Sequence, residues 1–311
     1  MNKLAKLLLK CLLSIFLLLN VMVIFHAYKL THFYDRSAMA MVPNASKTGW
    51  MKAQDIFMGA KALKSQNLIP DTIVQAVSLS TSSNLKLAAW YMPAAAAKGT
   101  VAMFHGHGSK KYALLVEAAV FRKLGYNTLL VDFRAHGNSE GNTCTIGYKE
   151  AEDVQLAYEY LQEKGEKNIV LYGVSLGAAT ITKAINDYGL QPSKVILEMP
   201  FSSLYNAVKG RLKMMNLPAE PLASMLTFWG GTMHGFMAFN LEPAAYAKKI
   251  KCPVLLQWGQ LDPRVSQAET ELIFNNMSSR KKMVVYENSG HESFCKKETS
   301  KWTNEVTAFL E

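Results

Sequence analysis

Gly173-Val174-Ser175-Leu176-Gly177 is the stretch from which the rest of the chain can be read. It fits the pattern G-x-S-x-G. Asn168 to Tyr172 before it is a short strand-like run, and Ala178 to Tyr188 after it has helical spacing. A serine on so sharp a strand-to-helix turn projects its hydroxyl from the sheet edge. The two backbones nearly touch there, so small neighbours are required, and Gly173, Gly177 and Ala178 supply them. Ser175 is therefore the candidate nucleophile. A hydroxyl is a poor nucleophile at neutral pH, so a base and an orienting acid must be found elsewhere.

Working outward, strands and helices alternate. Strand-like runs are Thr100 to Phe104, Thr128 to Asp132, Ile169 to Tyr172, Val195 to Leu197, Val254 to Trp258 and Met283 to Tyr286. Helical runs are Ala113 to Leu124, Glu150 to Lys164, Ala178 to Tyr188, Gln267 to Asn275 and Ser300 to Leu310. Val74 to Leu79 and Leu85 to Tyr91 flank the turn-like Thr81-Ser82-Ser83-Asn84 and read as an antiparallel edge hairpin. Short apolar strands separated by helices predict an α/β fold: a mostly parallel eight-stranded sheet covered on both faces. Residues 201 to 249 break the alternation. They are rich in Met and aromatic residues and read as a helical lid over the carboxyl edge, with Trp229 and Phe236 as candidate substrate contacts. The expected organisation is a membrane helix over 1–30, a linker with a peripheral helix from Met51 to Leu63 within 31–70, and a catalytic domain over 71–311.

The base is expected to be His291, in Asn288-Ser289-Gly290-His291 just after the last strand and so at the same sheet edge as Ser175. Asp262, after strand Val254 to Trp258, is the candidate acid that holds the tautomer of that base. Glu198, after the preceding strand, is the alternative. Developing negative charge on an acyl oxygen needs backbone donors. Leu176 should give one, and the glycine-flanked loop His105-Gly106-His107-Gly108 the other, through His107 with Gly108 as the alternative. A metal at His105 and His107 is the rival reading, without a third ligand at recognisable spacing. Asp132 to Gly141, a polar run after a strand, reads as a bracing network rather than as a second site.

Lys3, Lys6 and Lys10 precede Cys11 to Tyr28, an apolar run near the short limit for a spanning helix. Phe25-His26-Ala27 puts a large Phe where a cleavage site wants a small residue, so an uncleaved anchor is expected; cleavage and secretion, or an internal core helix, are the alternatives. The positive flank predicts a single pass with the domain outside the cytoplasm, periplasmic in a bacterium. Deleting residues 1 to about 40 should then leave a soluble, active domain. The formal charge of +10 is scattered and accompanied by no nucleic-acid module. Four cysteines with no C-x-x-C pair imply no disulfide framework.

Together HGHG (105–108), DFRAHGNSEG (132–141), GVSLG (173–177), GQLDPRV (259–265) and SGH (289–291) resemble the α/β-hydrolase superfamily, in its Bem46-like, lysophospholipase and peptidase-like branch. The matches span roughly residues 75 to 310 and keep the order Ser, Asp, His that this fold uses. The resemblance implies a serine hydrolase without cofactor or metal. It would act on a small-molecule carboxylic ester, thioester or sometimes amide through an acyl-enzyme, and the Met and aromatic residues of 201–249 point to an apolar acyl group. A peptidase, an acyltransferase and a non-catalytic binding protein are the other classes that share the fold.

Overall fold

In the computed structural model, residues 2–35 and 46–311 are described. The N-terminal part comprises α1 (Lys3–Thr31), β1 (Phe33–Tyr34), α2 (Gly49–Met58) and β2 (Ala62–Leu63). The main body follows with β3 (Gln75–Ser80), β4 (Lys86–Met92), β5 (Thr100–Phe104), α3 (Leu115–Lys123), β6 (Asn127–Val131), α4 (Glu150–Glu163), β7 (Ile169–Val174), α5 (Leu176–Tyr188) and β8 (Lys194–Glu198). The insertion holds α6 (Leu204–Met214), α7 (Leu222–Met233) and α8 (Pro243–Tyr246). β9 (Val254–Gly259), α9 (Gln267–Asn276), β10 (Lys281–Tyr286), α10 (Phe294–Lys297) and α11 (Thr299–Leu310) close the chain.

β3 to β10 form one eight-stranded sheet in the order β10-β9-β8-β7-β5-β6-β4-β3. β5 to β10 are mutually parallel, and β4 runs antiparallel to both β3 and β6, which gives the expected edge hairpin. Every residue of β5 and β9 is buried, because helices cover both faces. One face packs against Val154 of α4, Ile181 of α5 and Ile273 of α9. The other packs against Phe121 of α3 and Trp302 and Val306 of α11. All carboxyl ends of the parallel strands therefore meet at one edge, where ligands gather in open α/β sheets.

The N-terminal segment departs from expectation. The helix expected over Met51 to Leu63 stops at Met58, where Gly59 takes a φ of +75°. Ala62-Leu63 instead pairs in parallel with Phe33-Tyr34. Residues 36–45 of the expected linker lie outside the described residues. α1 is not a detached anchor: Val23 and Ala27 pack with Leu212, Ala223 and Leu226 of the insertion, and Phe33 joins the main core. Deleting residues 1 to about 40, which the sequence reading expects to leave a soluble domain, would uncover both patches. All four cysteines are unpaired, Cys144 and Cys295 in the core.

Candidate active site

Ser175 sits between β7 and α5 with φ 51° and ψ −109°, a conformation costly for a residue with a side chain. Its N–H donates to Glu198 O at 2.8 Å. Two glycines make the turn possible. A Cβ on Gly173 would lie 2.5 Å from the backbone of Gly177, and one on Gly177 would lie 2.2 Å from Phe104 O.

His291 follows β10, and Asp262 follows β9. The two loops are tied together by Leu261 N–H donating to Ser289 O at 3.0 Å and by the close approach of Gly259 to Ser289 and Gly290. Asp262 Oδ1 accepts from the N–H groups of Arg264 (2.7 Å) and Val265 (3.0 Å). This turns Oδ2 toward His291 Nδ1, 2.7 Å away. The Asp262 side chain has no solvent exposure. A carboxylate only accepts, so Nδ1 carries the ring proton and Nε2 is left as a lone pair. Ser175 Oγ lies 2.9 Å from that Nε2. The three residues singled out in the sequence thus meet as one relay.

The two expected backbone donors flank the serine. Leu176 is the first residue of α5, where an N–H has no intrahelical partner. A Cβ on Gly106 would lie 3.6 Å from Ser175 Cβ, so the loop that carries His107 approaches the nucleophile. Neither the Leu176 nor the His107 N–H donates to an acceptor among the described residues. Gly108, the alternative, donates instead to His136 Nε2 at 3.0 Å.

Residues 95–233 match the sequence pattern of the serine aminopeptidase, S33, family, under half of the chain. YqkD of Bacillus subtilis, an uncharacterized protein, is 26% identical over 216 residues, 68% of this chain and 71% of its own. The lysophosphatidylserine lipase ABHD12 of Danio rerio is 28% identical over 147 residues, which are 44% of this chain and 36% of that protein. The esterase Pf2001 of Pyrococcus furiosus has the same fold with a TM-score of 0.66 at 23% identity, over 81% of this chain and 98% of its own. This chain has the α/β-hydrolase fold.

Within this fold, Glu198 is fully buried and turned away from the relay, its Oε1 accepting from Trp302 Nε1 at 2.5 Å. Burial, with the nearby Glu117 carboxyl, pushes its pKa up to about 8. A neutral acid cannot serve as the counter-charge of His291, so the alternative assignment fails on position and on charge. The rival metal reading meets occupied nitrogens. His105 Nε2 accepts from Phe133 N–H at 3.2 Å, Nδ1 faces Gly106 O at 2.8 Å, and burial pushes the imidazole down to about 3. His107 Nε2 faces Leu30 O at 3.2 Å.

The polar run after β6 is a brace. Asp132 accepts from Lys111 Nζ, from the N–H groups of Lys111 (2.6 Å) and Asn138 (2.8 Å), and from Asn67 Nδ2 (2.6 Å). Arg134 forks onto Asp153 from its N–H and Nε, both at 2.9 Å. His136, whose pKa burial lowers, accepts from Gly108 N–H and so ties this brace to the donor loop.

One turn along α5 from Ser175, Ala179 shares a packing cluster with Leu204, Ile146 and Phe236; these last three also line a mostly apolar crevice, whose walls do not include Ser175 or His291. Phe236, one candidate substrate contact, stacks on Tyr148 at 4.1 Å and is a wall of the crevice. Trp229 is not, and this is a correction: its indole faces α1 and donates to Asn20 Oδ1 at 3.0 Å. Sequence reading also missed that Ala27, Leu30 and Thr31 of α1 form the opposite wall. The spacing of four between Val23, Ala27 and Thr31, each small or β-branched, is the signal that a packed helix face would leave.

Proposed function

We propose that this α/β-hydrolase is a membrane-anchored serine hydrolase that cleaves carboxylic esters bearing an apolar acyl group. The hydrogen-bonded relay from Asp262 through His291 to Ser175 carries this reading. Ser175 Oγ attacks the acyl carbon while its proton passes to His291 Nε2. The oxyanion is held by the N–H groups of Leu176 and His107, and Asp262 balances the imidazolium. His291 then protonates the leaving alkoxide, which departs as the alcohol and leaves Ser175 acylated. Water, deprotonated by the same Nε2, attacks the acyl-enzyme and releases the acid. A thioester runs the same cycle with a thiol as leaving group.

The crevice supports an acyl rather than an aminopeptide substrate. An aminopeptidase must neutralise a terminal ammonium, whereas the crevice has walls of Leu, Ile, Ala, Val and Phe with Thr and His and no carboxylate among its described residues. Its free space is about 30 Å³, which suits a water rather than an acyl chain. Binding therefore requires Phe236 or α7 to shift, as a lid does. The apolar run of α1 supports an anchor, and Lys3, Lys6 and Lys10 support a domain outside the cytoplasm. The test is turnover of p-nitrophenyl esters from acetate to octanoate beside aminoacyl anilides. Rising kcat/KM with chain length and negligible anilide cleavage are expected. A flat or falling ester profile, or faster anilide cleavage, overturns the substrate assignment.

A further inference from the structure

α1 continues unbroken to Thr31, and no formally charged residue lies between Lys10 and Lys29. A span must therefore use the eighteen residues between them, ~27 Å at 1.5 Å per residue, close to the thickness of a bilayer's hydrocarbon. The second half of that span is already occupied on one side. Val23 and Ala27 bury against Ala223 and Leu226 of α7. Trp229 of α7 bonds to Asn20, which stands ~12 Å along the axis from Tyr28, near the middle of the span. Whatever depth Asn20 has, Trp229 shares it.

We propose that α7 lies in the bilayer leaflet on the catalytic-domain side, packed along α1, with its outer face against lipid acyl chains and the crevice between α1 and α7 opening into that leaflet. The proposal rests on the reading of α1 as a membrane span. It concerns how the lid is solvated rather than which bond is cleaved.

Three features of α7 fit hydrocarbon. It has no ionisable residue from Leu222 to Met233, and Phe228 on its outer face is 48% exposed. Its outward polar groups are satisfied within the protein, as a medium without hydrogen-bond partners demands. Ser224 Oγ donates to Glu220 Oε2 (2.7 Å) and Thr232 Oγ1 to Phe228 O (2.8 Å). Asn20, polar in an apolar run, is likewise closed: its Nδ2 donates to Phe16 O at 2.9 Å while Oδ1 takes the Trp229 indole. Thr227 Oγ1 and His234 Nε2, buried without a partner among the described residues, belong to walls of the crevice, where the polar part of a bound lipid would meet them.

The surroundings fit a bilayer surface. α2 is held to α1 by His26 Nε2 against Ile56 O at 2.9 Å, at the outer end of the span. There it exposes Trp50 and Ile56, and tryptophan is enriched at membrane interfaces.

Spin labels on the full chain in proteoliposomes test the placement. In a background with Cys11 and Cys252 replaced by Ser, single labels are placed through F228C and T232C on α7, L17C on α1 and K98C in the exposed loop before β5. Fluorophosphonate labelling of each variant reports that the catalytic domain is folded. The expected result is that oxygen relaxes the α7 labels more than a water-soluble nickel chelate does, as at position 17, with the reverse at position 98. A chelate preference at 228 and 232 beside an oxygen preference at 17 overturns the proposal while leaving the anchor intact. A chelate preference at 17 as well removes the anchor and the proposal together. Protection of 228 and 232 from both reagents would mean a protein partner on that face and also overturns it. None of these outcomes bears on ester cleavage, which is read separately.

Discussion

Replacing Glu198 by Gln separates a buried structural acid from a catalytic one. The carboxyl is fully buried, one oxygen faces the Trp302 indole, and the other has no partner among the described residues. Its pKa rises from 4.5 to about 8 because burial penalises the charged form. The folded state thus keeps a proton that the unfolded chain loses above about 4.5. The sign follows: between about pH 4.5 and 8, stability falls as pH rises, by ~1.4 kcal/mol per pH unit for one proton. For a domain of this size that is roughly 3 °C of melting temperature per unit. Glu117, also raised by burial, adds a slope of the same sign. Gln cannot titrate, so E198Q should lose the Glu198 share and keep that of Glu117. Thermal unfolding of the detergent-solubilised protein at half-unit steps from pH 5 to 8 should show the variant gaining on wild type by about 3 °C per unit, with esterase activity within about threefold. Parallel pH profiles, or a loss of activity comparable to that of a triad variant, would refute this placement of Glu198.

D262N should behave in the opposite way. The N–H groups of Arg264 and Val265 hold an oxygen at the Oδ1 position, so the new amide must aim its NH2 at His291 Nδ1. That forces the proton onto Nε2 and deprives Ser175 of its base, a change that lowers kcat by about 10⁴ in serine proteases; a loss under tenfold in ester turnover would disprove the role. Removal of the N-terminal segment should depend on where the cut falls. A chain beginning at Leu19 keeps Val23, Ala27 and Phe33 and should melt in detergent within a few degrees of the full chain. One beginning at Asp35 loses the buried Phe33, worth ~3–5 kcal/mol, and uncovers Ala223 and Leu226. Equal melting temperatures for the two would show that α1 does not brace the lid.

The sheet was legible because its strands are buried on both faces. Thr100–Phe104 and Val254–Gly259 have no polar face to blur their limits, and the turns around Ser175 and Asp262 announce themselves by glycine and aspartate. Ser175, Asp262 and His291 were legible for the same reason: each follows a strand whose carboxyl end faces the same edge. What escaped was set by contacts distant in sequence. Trp229 has the composition of a pocket residue, yet Asn20, 209 positions away, takes its indole. An apolar run such as Cys11 to Tyr28 looks the same whether lipid or protein surrounds it, so the packing of Val23 and Ala27 on the lid was hidden in a segment read only for length and charge. The early stop of α2 turns on the left-handed conformation of Gly59 and on the pairing of Ala62-Leu63 with Phe33-Tyr34, neither of which hydrophobic period records.

Ser175 as the attacking group is tested most directly by a fluorophosphonate, which reacts only with a serine that a neighbouring base has activated. Mass spectrometry of the labelled, digested full-length protein should find one adduct, on the peptide containing Ser175. S175A should take up no label and lose at least about 10³-fold in ester turnover while its melting curve stays that of wild type. An adduct on another serine, or turnover by S175A near that of wild type, would contradict the assignment of Ser175, Asp262 and His291 as the catalytic relay.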